Sequence, residues 1–246
     1  MHNWFITTQG RQLEYYKGLQ IHAVEGLHEQ MLAMFQKYVP AGQQVLDVGA
    51  GEGAFSLRLY DHGYQVVGLD ANNTPQYQWK AQGVPFVQCD INSSLKICLN
   101  QTFDVVCCME VIEHIENPWQ LIRDIKAVLR PGGIAIVSTP NVNSFYSRIR
   151  YMQMGTPVLF GEEGVSMGHI NPITTFEMIH IAKSVGFAIQ EIAPGGYLPI
   201  LDFSSFSPNT WLRNAARLIA YIASRCVKNG HVKNGYITMF VLQNPC

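Results

Sequence analysis

Residues Val45 to Phe55 read Val-Leu-Asp-Val-Gly-Ala-Gly-Glu-Gly-Ala-Phe, an apolar strand running into a glycine-rich turn and then a helix. Asp47, Gly49, Gly51 and Gly53 fall at alternate positions. A dinucleotide fingerprint instead spaces three glycines after its strand as G-x-G-x-x-G. Glycine lets the backbone turn through positive φ and lets a ligand lie against bare main chain. An acid beside such a turn repels a pyrophosphate and attracts an ammonium group or hydroxyls. The implied ligand is a nucleoside with a cationic amino-acid end, held by Asp47, Gly49, Ala50, Gly51 and Gly53.

A second set follows another apolar run, in Met109-Glu110-Val111-Ile112-Glu113-His114-Ile115. If this segment turns helically, Glu110, Glu113 and His114 stand at i, i+3 and i+4 and project from one face. Two carboxylates and an imidazole there can hold a hard divalent metal such as Mg²⁺. They can also form a catalytic pair, His114 as general base oriented by Glu113. Adjacent carboxylates in a partly closed cleft repel unless a cation joins them. His169, in Gly168-His169-Ile170-Asn171-Pro172, is a further candidate ligand. A competing reading keeps Glu113 and His114 as a hydrogen-bonded pair that only fixes a loop.

The elements that must position these residues alternate along the chain. Residues 11 to 39 carry helical periodicity and stop at Pro40-Ala41-Gly42, so residues 1–40 form an N-terminal helical cap. Strands are expected at Val45–Val48, Gln65–Leu69, Pro85–Gln88, Phe103–Cys108, Ile134–Ser138, Phe187–Ile192 and Tyr236–Leu242. Helices are expected at Ala54–Asp61, Pro118–Leu129 and Thr175–Val185. Near-continuous apolar strands separated by helices predict an α/β fold with a parallel sheet covered on both faces. Two segments, 142–168 and 194–235, interrupt the alternation as insertions.

At 246 residues the chain is expected to form one domain, spanning 1–246. Its 17 basic and 18 acidic residues give a net charge of −1, so no global field favours nucleic acid as a partner. Six cysteines show no C-x-x-C pairing, which predicts reduced thiols in a cytoplasmic protein. Met-His-Asn-Trp-Phe at the start lacks the basic and apolar character of a signal peptide.

Taken together, four motifs in order across residues 25 to 245 resemble the class I S-adenosylmethionine-dependent methyltransferases. The resemblance implies a Rossmann-like, mostly parallel seven-stranded sheet with an antiparallel last strand beside the sixth. Ligands of open α/β sheets bind beyond the carboxyl ends of the strands. S-adenosylmethionine is the cofactor implied there, with Asp70 taking the ribose hydroxyls and Asp90, next to Ile91, accepting from the adenine amino group. Met109 and Glu110 then lie along the adenine or sulfonium side. Asp70 could instead start the turn into Asn72-Asn73, and Asp90 could cap a helix. Glu110, Glu113 and His114 match the Glu-x-x-Glu-His set of the ubiquinone-biosynthesis O-methyltransferases and of the small-RNA 3′-terminal 2′-O-methyltransferases, where the resemblance implies a divalent metal. The small-RNA enzymes add a later histidine, matched more loosely by His169.

The insertions set the acceptor. Phe145, Tyr146, Arg148, Arg150, Tyr151, Met152 and Phe160 can line a pocket for an aromatic or lipid-like molecule, or form a lid packed on itself. From Asn209 to Lys228 a helical wheel gathers Arg213, Asn214, Arg217, Tyr221, Ser224, Arg225 and Lys228 on one side, with Trp211, Leu212, Leu218, Ile219 and Ile222 on the other. That pattern suits peripheral contact with an anionic membrane, or docking on its own domain. The leading expectation is an O-methyltransferase acting on a small or lipid-linked hydroxyl, such as a phenol, quinol precursor or sugar. A metal-dependent RNA ribose 2′-O-methyltransferase is the alternative, lacking a basic groove or stacking platform here. A non-catalytic cofactor-binding module is a third.

Overall fold

The structure, a computed structural model, describes residues 6–7, 14–72, 83–92, 94–196, 201–202, 207–226 and 235–246. Residues 11 to 39 do not make one helix. After β1 (Ile6–Thr7) comes a hairpin of β2 (Glu14–Tyr16) and β3 (Leu19–Ile21), and only then α1 (Leu27–Tyr38). Lys17 and Gly18, at φ of 48° and 83°, form its two-residue turn, the geometry that matches strand twist. Leu19 and Ile21 bury themselves against Ala54 and Leu57. The N-terminal cap is therefore part strand, because a Lys-Gly turn between apolar residues outweighs an approximate helical period.

The chain continues through β4 (Gln44–Val48), α2 (Ala54–Asp61), β5 (Gln65–Asp70), β6 (Phe86–Gln88), α3 (Leu95–Cys98) and β7 (Phe103–Met109). Next come α4 (Pro118–Val128), β8 (Leu129–Pro140), α5 (Phe145–Met154), α6 (Glu162–Ser166) and α7 (Thr175–Val185). The last elements are β9 (Ala188–Gly195), β10 (Leu201–Asp202), α8 (Pro208–Arg225) and β11 (Ile237–Gln243). Seven strands share one sheet in the order β6-β5-β4-β7-β8-β11-β9. Its first five strands are mutually parallel, while β11 runs antiparallel to both β8 and β9. This is the Rossmann-like arrangement expected.

Alternate strand residues face opposite helical layers, the period-two consequence of the pleat. Val45, Val105, Cys107 and Ile136 pack with Met31, Phe35, Phe55 and Leu59 of α1 and α2. Leu46, Val106, Cys108 and Val137 pack with Ile122, Ile125, Met178 and Ile181 of α4 and α7. Both faces are covered, so the carboxyl ends of β4 to β8 form the one edge where a ligand can meet several strands.

Two further expectations change. Segment 142–168 is not irregular: Ser144 caps α5 by accepting from the Ser147 N–H, and Gly155 ends it at φ 71°. Its apolar period was faint because the buried positions of α5 are Tyr146 and a serine, Ser147. Cys89 and Cys98 are joined in a disulfide, which corrects the all-reduced reading. The end of β6 and the end of α3 bring their Cα atoms to 6.0 Å, a closeness no spacing rule shows. Cys107 and Cys108 are free and buried, as small core residues should be. No helix among the described residues is long and apolar enough to cross a membrane.

Candidate active site

The glycine turn leaves β4 and stays tied to its neighbour. Gly49 and Ala50 donate their N–H groups to the Leu69 carbonyl (2.8 and 3.0 Å), and Gly51 N–H donates to Asp70 Oδ2 at 2.9 Å. Gly49, Gly51 and Gly53 all hold positive φ, at 75°, 55° and 85°. A Cβ on Gly51 would meet no atom within 4 Å, so that side of the turn is open for a ligand.

Asp70 also accepts from the Asn72 N–H at 2.9 Å. Each carboxylate oxygen thus holds one main-chain donor and keeps lone-pair capacity for hydroxyls. The turn-forming and ligand-binding readings of Asp70 are compatible. Asp90 is exposed, and its Oδ1 accepts from the Asn92 N–H at 3.0 Å. The next helix begins only at Leu95, so Asp90 is not its cap. Ile91 is half-buried beside it, and Met109 packs with the α1–α2 layer.

Asp47 lies deeper than its motif suggests, at 2% exposure. Its Oδ2 accepts from Ser56 Oγ at 2.5 Å, which fastens the strand to the first turn of α2. Burial pushes its carboxyl up to about 7; the Ser56 hydrogen bond pulls against this and the nearby Asp70 adds to it. Asp47 braces the turn from below.

The segment after β7 departs from the helical expectation. Glu110 sits at φ 55°, and its N–H donates to Ser138 Oγ at 3.1 Å. A short 3₁₀ turn starts only at Ile112 and ends at His114. Glu110 is therefore turned toward β8 and does not share a face with Glu113 and His114. Strain of this kind in a non-glycine residue clusters at functional sites.

Glu113, His114 and His169 do converge. One donor atom from each lies within 4.8 Å of the others, and the imidazoles meet edge-on with centroids 4.8 Å apart. The main chain assembles them, because the N–H groups of Ile170 and Asn171 both donate to the Glu113 carbonyl at 2.9 and 3.0 Å. Asn171 Nδ2 donates to the Ile115 carbonyl as well. Gly168 makes room, since a Cβ there would lie 3.2 Å from His114 Nδ1.

Glu113 is fully buried, and neither carboxylate oxygen has a hydrogen-bond partner of good geometry. Burial drives its pKa well above the usual carboxylate range, with Thr139 close enough to pull weakly the other way. Burial, then the charge of His169, holds His114 below the ordinary imidazole value, which favours its neutral form. His169 Nδ1 is 2.7 Å from the Leu159 carbonyl; as donor in that bond it leaves Nε2 as the acceptor. An orphaned carboxylate beside two imidazoles fits a divalent cation better than it fits a purely structural pair.

Sequence spacing missed Leu159, whose carbonyl orients His169 from a strained φ of 63°. The nearest signal was Gly164, where a Cβ would fall 1.9 Å from that carbonyl oxygen. Arg150 is not free for an anionic acceptor: it donates to Thr156 and to the Pro157 carbonyl. Tyr146 and Phe160 are buried, whereas Tyr151 and Met152 are exposed.

A methyltransferase-domain family profile matches residues 21–192. The chain belongs to that family. It is a class I S-adenosylmethionine-dependent methyltransferase, with S-adenosylmethionine as methyl donor. Among curated relatives, the ubiquinone biosynthesis O-methyltransferase of Chromobacterium violaceum is 27% identical over 175 residues, covering 69% of this chain and 75% of that one. The protein of the same name from Coxiella burnetii is 30% identical over 177 residues, covering 67% and 72%. A SAM-dependent methyltransferase structure from Archaeoglobus fulgidus superposes with a TM-score of 0.57 at 18% identity, over 88% of this methyltransferase and 94% of that chain.

Proposed function

We propose that this methyltransferase alkylates a hydroxyl oxygen on a small or lipid-linked acceptor, of the phenol, quinol-precursor or sugar type. The buried, unpartnered Glu113 carboxylate against His114 and His169, at the carboxyl edge of the sheet, carries the proposal. Relatives named as O-methyltransferases support oxygen as the atom methylated.

Asp70 would take the ribose hydroxyls, Asp90 the adenine amino group, and Gly49 to Gly53 the amino-acid end, with Met109 and Glu110 along the cofactor. The sulfonium methyl is already electrophilic, so aligning the acceptor oxygen with it supplies much of the rate gain. Neutral His114 is available to take the acceptor proton, and Glu113 to steady the resulting imidazolium. Glu113, His114 and His169 would hold a divalent cation; one carboxylate and two imidazoles suit Mn²⁺ at least as well as Mg²⁺. When bound, such an ion would lower the pKa of the acceptor hydroxyl.

The test offers isotope-labelled S-adenosylmethionine with a metabolite extract and, separately, with short RNA, each with and without chelator. Label should enter small or lipid-soluble molecules, stop with chelator, and return with Mg²⁺ or Mn²⁺. Label in RNA alone would overturn the small-molecule acceptor. Full activity under chelation would remove the cation and leave His114 as sole base.

A further inference from the structure

Helix α8 turns polar side chains, not its apolar stripe, toward the protein. Asn214 and Arg217 of the wheel's basic side are both buried, as is Thr210. The Arg217 guanidinium lies 5.4 Å from the centre of the Tyr146 ring, beside Ala216 and Ala220. Trp211, Leu212, Leu218, Ile219 and Ile222 face outward, each between 43% and 60% exposed. Their spacing of i, i+1, i+7, i+8 and i+11 makes one stripe along three turns. Tyr151, Met152 and Met154 of α5, the helix on which α8 packs, are exposed too. An exposed apolar stripe of this kind marks a docking site.

Charge selects the occupant. Helices α5 and α8 hold five of the 17 basic residues and none of the 18 acidic ones, so this part of a nearly neutral chain is basic. Pairing α8 with the same helix of a second copy would bring together two acid-free helices, with no carboxylate to offset the exposed Arg213 of each. An anionic bilayer offers both an apolar interior for the stripe and phosphates for the basic residues. The helix does not qualify as a membrane span, so it would lie in the interface plane. We infer that α8 docks on an anionic membrane surface, with Trp211, Leu212, Leu218, Ile219 and Ile222 inserted and Arg213 at headgroup level. The inference is independent of the acceptor and of the cation.

The full chain is sedimented with vesicles of phosphatidylcholine alone or mixed with phosphatidylglycerol. Partition should be roughly tenfold or more stronger on the anionic vesicles and should weaken with salt. The double variant Leu218→Ser/Ile219→Ser should lose about tenfold or more of that binding while keeping its affinity for S-adenosylmethionine. Absent binding, or undiminished binding by the variant, overturns the inference. So does a dimer in sedimentation velocity that the same variant dissociates, which would make a second copy the occupant. If the double variant does not fold, brominated acyl chains should quench the wild type more than Trp211→Phe; equal quenching overturns the assignment to α8.

Discussion

Gly49 and Val111 interlock: a Cβ on Gly49 would lie 2.2 Å from Val111 Cγ2 and 3.5 Å from Val111 Cβ. The glycine turn and the segment bearing Glu110, Glu113 and His114 are thereby held together. Gly49→Ala should lower the melting temperature by several degrees, combining that overlap with the roughly 1–2 kcal/mol cost of a side chain at positive φ. Adding Val111→Ala leaves only an ordinary contact, so the double variant should recover part of the loss in a thermal melt. No recovery would assign the whole cost to φ.

Gly51→Ala separates ligand from fold. Its Cβ would point into open space, which leaves only the φ penalty of about 1–2 kcal/mol in the free protein. Affinity for S-adenosylmethionine should fall roughly tenfold or more, because the methyl group occupies ligand space. Calorimetric titration beside a melt reads both; unchanged affinity would mean the cofactor does not approach this side of the turn.

The sheet and the glycine turn were legible in the sequence because each strand is a short apolar run and the turn's glycines follow one directly. The Ala54–Asp61 and Thr175–Val185 helices appear at the expected bounds. What spacing could not show was direction. Glu110 leaves the expected face because its φ is positive, and Asp47 turns into α2 rather than toward the cleft. His169 reaches His114 through main-chain bonds to the Glu113 carbonyl, which no side-chain pattern encodes. For α8 the period was legible but the facing was not, since a helical wheel does not say which side meets the protein.

Glu113→Gln tests the cation site. The variant keeps side-chain shape and cannot ionise, and burial already favours the protonated carboxyl in the ion-free protein, so that protein should melt at or slightly above the wild-type temperature. Mn²⁺ should raise the wild-type melting temperature and leave the variant unmoved, since only an ion bound to the native state shifts the transition. Binding should strengthen with rising pH, because the ion competes with the carboxyl proton. Methyl transfer should drop about 100-fold. An equal Mn²⁺ shift in both proteins would rule Glu113 out as a ligand.

The Cys89–Cys98 disulfide abuts Asp90, the residue proposed to meet the adenine, so its loss should reach that end of the proposed cofactor site. Closing a loop of nine residues' separation is worth about 2–3 kcal/mol on chain-entropy grounds. Reductant, or Cys89→Ser with Cys98→Ser, should lower the melting temperature by several degrees and weaken S-adenosylmethionine binding. Thiol titration of the unfolded, unreduced protein should find only Cys107, Cys108, Cys226 and Cys246 reactive. Two more reactive thiols would show that the bridge is absent.

Asp47 makes stability depend on pH in a definite direction. Burial raises its carboxyl from 3.8 to about 7, so the native protein retains a proton that the unfolded chain releases at lower pH. The native state keeps its full advantage below pH 3.8 and loses it as pH rises toward 7, by about 4 kcal/mol at most. Asp47→Asn has no proton to lose, and its amide oxygen can still accept from Ser56. Melts at pH 5 and pH 8 should therefore show a steeper decline for wild type, with the variant equal or more stable at the higher pH. The same variant should bind S-adenosylmethionine more weakly at pH 8, where the wild-type brace is ionised, and about equally at pH 5, where it holds its proton. Parallel pH profiles for the two proteins would show that Asp47 is ionised in the native state throughout.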